Sequence, residues 1–245
     1  LTDDLQIAGY INYQWADAHN DNVIDGTTLP PGAFANVEVG PHEHFRLTKF
    51  TGVSGELMYR MLSPYLDSFG LALYVKPTVG PSLYEWTSRL ILQENFFDDR
   101  MVVAFNATLT QRWRFFHALA SAPPGSAGAT DRWDRGTATD FALGVSYRFI
   151  ANWSAAFEVH NEREWRGFNP FVGQRETNSA YYAGPTLHYA DEHIFATLTV
   201  LTQLGGASDF VHPEPDFVVG GRNYAANFER FRVRLKLGYY FGGQA

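Results

Sequence analysis

The run Glu158-x-His160-x-Glu162 places two carboxylates and an imidazole at every second position, groups that hold divalent metals or move protons. In an extended chain all three share one face, but alternate residues stand about 6.5–7 Å apart, too wide for all to close easily on one ion. Asp140 pairs with His160 as a carboxylate–imidazole dyad if the two lie on adjacent strands near one end. His42-Glu43-His44 offers two imidazoles beside a loop, a pattern suited to a surface metal at most. A salt-bridged Asp and His is the plainer expectation, so the sequence assigns no catalytic, cofactor-binding or metal-ligating residue.

A second pattern is a ladder of cations, Arg230, Arg232, Arg234 and Lys236, again at alternate positions. Like charges this close repel, so acceptors are expected on neighbouring strands or in solvent. The chain as a whole carries a formal charge of -7, which argues against a nucleic-acid partner. Cysteine is absent, excluding disulfides and thiolate chemistry. No uncharged apolar run approaches the roughly 18–20 residues of a transmembrane helix. Phe 20, Tyr 13, Trp 6 and Gly 22, with 18% charged residues, favour strands and turns. The opening Leu1-Thr2-Asp3-Asp4 shows neither a basic start nor an apolar leader core, so an exported chain is expected here in processed form.

Period-two alternation identifies the elements that must position these groups. Ten segments show it: 5–15, 45–61, 69–79, 83–96, 101–113, 141–149, 153–163, 179–189, 194–204 and 228–241. In the second, Lys49 breaks the pattern. Pro77 sits at the end of the third, and Pro185 inside the eighth predicts a bulge or local break in pairing, since proline donates nothing to a ladder. Links after even segments are short, as in Phe97-Asp98-Asp99-Arg100 and Ala190-Asp191-Glu192-His193, whereas three others, 16–44, 114–139 and 205–227, are long and rich in Gly, Pro, Asp and Asn. This asymmetry predicts one domain over 1–245, an all-β, transmembrane, antiparallel up-and-down barrel of about ten strands. Short turns face the periplasm and long loops the cell exterior.

The polar face carries small or neutral residues such as Ala8, Gly70, Ala142, Gly144 and Gly184, unlike the Lys- and Glu-rich exterior of a soluble barrel. Aromatics collect near strand ends on the apolar face: Trp15, Phe45, Trp86, Trp113 and Phe141 towards the long loops, Phe69, Phe149, Trp153, Tyr189 and Phe241 towards the turns. The expected lumen-lining charges are Arg46, Arg60, Lys76, Arg89, Arg112, Arg148, Arg230, Arg232, Arg234 and Lys236, opposed by Glu56, Glu85, Asp140, Glu158 and Glu162, with His160 among them. This basic excess favours anions.

The closing segment Phe231-Arg232-Val233-Arg234-Leu235-Lys236-Leu237-Gly238-Tyr239-Tyr240-Phe241 resembles the last strand of bacterial outer-membrane β-barrel proteins, which typically ends in an aromatic residue; here Gly242 to Ala245 follow. The resemblance implies a small porin-like protein of the Gram-negative outer membrane, with lipid around it. Three roles fit. The first is a narrow channel or conduit for small polar or anionic solutes. The second is a closed structural barrel docking a protein partner through long loops carrying Phe34, Trp133 and Phe217, or through its outer wall. The third is a rim hydrolase, for which the ten-stranded omptin proteases are the comparison; their second acidic pair has no counterpart here.

Overall fold

The structure, a computed structural model, describes residues 4–19, 44–118, 124–125, 129–169, 176–208, 217–219, 221–225 and 228–239. Ten strands form a single antiparallel sheet in which each pairs with its successor. They are β1 (Leu5–His19), β2 (His44–Leu62), β3 (Gly70–Gly80), β4 (Leu83–Phe96), β5 (Met101–Phe116), β6 (Arg132–Ile150), β7 (Trp153–Arg166), β8 (Glu176–Ala190), β9 (Ile194–Ser208) and, after a small hairpin of β10 (Phe217–Val219) and β11 (Arg222–Tyr224), β12 (Phe231–Tyr239). The order β1 through β9 followed by β12 is up-and-down throughout. The sheet curls into a half-barrel, bringing Arg232 and Arg234 of β12 against Glu162 and Glu158 of β7, three strands away in the ladder. Among the described residues β1 and β12 do not pair with each other, so the sheet has two edges where closure was expected.

All ten expected segments are strands, but most extend further towards the long links. β6 begins at Arg132 rather than near Phe141, and β5 and β7 run to Phe116 and Arg166. In these extensions, as in Arg132-Trp133-Asp134-Arg135-Gly136-Thr137, charges occupy both faces, and the alternation that marks a half-buried strand is lost although the backbone ladder continues. β12 is shorter than expected, starting at Phe231.

Lys49 is explained by a bulge. Asn12 pairs with Gly52 but Tyr13 pairs with Phe50, so Thr51 is extra and the strand's parity inverts. Lys49, opposite Gln14, rejoins the phase of Ser54, Glu56 and Arg60, while Thr48 joins Trp15. Arg46 pairs with Asp17, and its side chain, expected in the lumen set, lies outside the described residues. Gly52 permits the bulge with φ at 145°, and a Cβ there would collide with the Val79 carbonyl oxygen. Gly52→Ala is expected to destabilise the fold by about 1–3 kcal/mol, measured as a shift in the urea midpoint.

Pro185 behaves as a break without a bulge. Its pairing to Phe157 on β7 is kept, whereas the β8–β9 ladder lapses at Gly184 and Pro185 and resumes in register at Thr186 opposite Thr199. The bulge lies nearby, between Tyr181 and Tyr182. In the β8–β9 turn, the Ile194 and His193 backbone N–H groups and the Tyr189 hydroxyl all donate to Asp191, and hold its carboxyl below the usual carboxylate range.

Candidate functional site: the polar concave face

Register places one residue in two of every strand on the concave face, and that face collects the charge. Glu56 and Arg60 come from β2, Lys76 from β3, Glu85 and Arg89 from β4, and Arg112 from β5. Asp140 and Arg148 come from β6, Glu158, His160 and Glu162 from β7, and Arg232, Arg234 and Lys236 from β12. Arg230 precedes β12, and its guanidinium lies over the Tyr224 ring of β11.

The charges are largely knitted together. Arg232 binds Glu162 through both terminal nitrogens, at 2.6 and 3.1 Å, and also reaches Glu229. Its guanidinium stacks over Tyr182. Arg234 lies 3.5 Å from Glu158. Arg112 bridges Glu85 at 2.7 Å and Glu164 at 3.6 Å. Arg89 donates to Thr108 and covers Tyr74, while the Tyr74 and Tyr10 hydroxyls both donate to Glu56. Arg60 pairs with Asp4 at 2.9 Å. Between these pairs run hydroxyl contacts, Ser54 with Thr78 and Thr87 with Thr110, which join adjacent strands on the same face.

Three carboxylates in this network, Asp4, Glu164 and Glu229, escaped the sequence reading. Glu164 continues the alternation of Glu158, His160 and Glu162, so extending the period by one step would have found it; Glu229 falls in step with the apolar positions of segment 228–241, so the alternation gave no reason to place it among the cations. Residues 225 and 228–230 lie against the concave face. Ala225 N–H donates to Gln203, the Gln203 side chain donates to the Phe228 and Glu229 carbonyls, and the Tyr182 hydroxyl donates to the Glu229 carbonyl at 2.7 Å. Ala180, Tyr182, Leu201 and Ala225 are buried together with Phe228 packed on them, and Phe228 also borders an interior cavity with Lys76, Arg89 and Glu162.

At the centre lies the Asp140–His160 pair expected from adjacent strands. Nδ1 of His160 is 3.2 Å from Asp140 Oδ1, and Nε2 is 3.2 Å from Glu158 Oε2. The His160 side chain is 9% exposed. Register explains the contact, since Ala142 stands opposite His160 and leaves its ring room to lean towards Asp140.

The convex face is the reverse. Ile11 is 71% exposed, Leu235 63%, Phe157 55% and Leu143 47%, and large apolar side chains are exposed on nine of the ten strands, those of β5 being half-buried. Trp153 and Tyr189 pack together at the turn side, and Trp113 meets Phe168 near the long links. Polar residues enter this face mainly towards the link side, where Arg163 donates to Asn161 and meets Glu176 at 3.4 Å.

A family model covers residues 1–241. The chain belongs to DUF6662, a family of unknown function. No curated protein matches it, and no solved structure does. The matched residues span the whole ten-stranded sheet, from β1 to β12.

Proposed function

We propose that this sheet is the wall of an outer-membrane β-barrel and that its charged concave face lines a narrow conduit for small polar or anionic solutes. The observation that carries the reading is the polarity of the two faces. A water-soluble protein rarely exposes a contiguous apolar patch beyond a few hundred Å², yet here nine of the ten strands expose large apolar side chains outward, and the ionic side chains gather on the inward face. On β6 the outward positions Phe141, Leu143, Val145, Tyr147 and Phe149 are all apolar and span about nine residues, the length of a tilted strand crossing a bilayer.

Lipid tolerates no open sheet edge, because unpaired backbone groups there have no water to bond. The reading therefore requires the β1 and β12 edges to find backbone partners in the membrane. The two strands run antiparallel to each other across an even-numbered sheet, as closure needs. Such a barrel is narrow.

Planar-bilayer conductance with KCl reversal potentials tests the conduit. The expected result is a small stable conductance that prefers chloride, with the preference weakened or reversed in Arg232→Glu/Arg234→Glu. A folded protein that never conducts contradicts it. That outcome favours a second reading, a closed barrel that acts by docking a partner through its loops, for which the specific observation is Ala225 and Phe228 lying against the concave face with Phe228 towards the interior.

A further inference from the structure

We infer that Asp140, His160 and Glu162 form a binding site for a divalent transition metal, with zinc as the fitting ion. One donor atom from each of these side chains lies within 4.8 Å of the others. They come from two adjacent strands: Asp140 stands directly opposite Glu162, and His160 follows two positions before Glu162 on the same face. This resolves the spacing problem of Glu158-x-His160-x-Glu162, since the neighbouring strand's Asp140 replaces Glu158 in the set.

The surroundings match what metal ligands need. A metal-bound histidine ordinarily donates its second ring N–H to a carboxylate, which fixes the tautomer and the ring. With Nδ1 turned to Asp140, Nε2–H is free to donate to Glu158 at 3.2 Å. Glu158 is itself held by the Thr186 hydroxyl at 2.5 Å and by Arg234. Glu162 is oriented by the paired nitrogens of Arg232. Each ligand but Asp140 thus has a fixed outer partner, and Asp140 borders two cavities of about 360 and 290 Å³ from which water can complete the coordination. Arg89 borders both cavities too, and its charge opposes the ion, as do those of Arg232 and Arg234. Three carboxylates, Asp140, Glu158 and Glu162, balance them.

The donor set selects the class of ion. One imidazole and two carboxylates suit zinc, with three protein ligands and an open position, whereas calcium and magnesium prefer oxygen alone. The inference concerns the concave face only and does not depend on whether the sheet sits in lipid or conducts.

Zinc titration by calorimetry into the chelator-stripped, folded protein in detergent is the test, with cobalt absorption reporting coordination number. Wild type is expected to bind one zinc per chain at this site. His160→Gln and Asp140→Asn each weaken it at least tenfold, and Glu158→Gln weakens it by about tenfold through loss of the outer hydrogen bond. His42→Gln/His44→Gln leaves it unchanged. Circular dichroism confirms that each variant is folded, and Asp140→Asn and Glu158→Gln serve if His160→Gln is not. Absence of zinc binding in folded wild type, or binding that survives His160→Gln and Asp140→Asn, overturns the inference.

Discussion

Val145→Arg is expected to destabilise the folded protein in lipid by about 2–4 kcal/mol, the cost of a charge facing the middle of a bilayer. Val145 occupies the central outward position of β6, opposite Phe157 on β7 and Val103 on β5. It is 41% exposed. In water, a substitution at so exposed a position normally changes stability by no more than about 0.5 kcal/mol. The two environments thus predict effects that differ several-fold for one residue. Reversible urea unfolding from lipid vesicles measures it.

The second large effect concerns the Arg232–Glu162 pair, whose side chains are 27% and 16% exposed. Arg232→Leu removes the guanidinium from Glu162, from Glu229 and from the Tyr182 ring at once. A carboxylate left without its partner in so enclosed a place is costly, and the expected loss is about 2–4 kcal/mol. Glu162→Leu costs less, about 1–2 kcal/mol, because Glu229 still answers Arg232. The double variant falls short of the summed losses by about 1–3 kcal/mol, the signature of a direct interaction in a double-mutant cycle. Simple additivity would mean that the two side chains do not meet.

How far the sequence discloses this arrangement depends on how strictly period two holds. Along β7 it holds from Trp153 to Arg163, and the inward set Glu158, His160 and Glu162 follows directly. At Thr51 a single extra residue inverts it; Lys49 was the visible symptom, and a bulge leaves no composition of its own beyond one glycine. Near the long links charges occupy both faces, so alternation is lost, and β6 runs unseen from Arg132 to about Phe141. The placement of Ala225, Phe228 and Glu229 is less legible still. It depends on Gln203 and Tyr182, more than twenty residues earlier in the chain, and on backbone carbonyls that carry no sequence signal. The partners of the cation ladder were expected on the strands beside β12, yet Arg232 and Arg234 reach across the curl to β7, a contact that only curvature creates.

The central claim is that the apolar convex face meets lipid and the ionic concave face meets water. The chain contains no cysteine, so single-cysteine variants along β7 report it cleanly. Ala155, Phe157 and Val159 point outward and are the more exposed positions of the isolated sheet, while Ser154 and Ala156 point inward and are half-buried. The measurement is the rate at which a water-soluble maleimide labels each cysteine in protein reconstituted into vesicles. The account predicts protection at 155, 157 and 159 and faster labelling at 154 and 156, the reverse of the order set by the sheet's own exposure. Labelling of the outward positions at least as fast as the inward ones would contradict it.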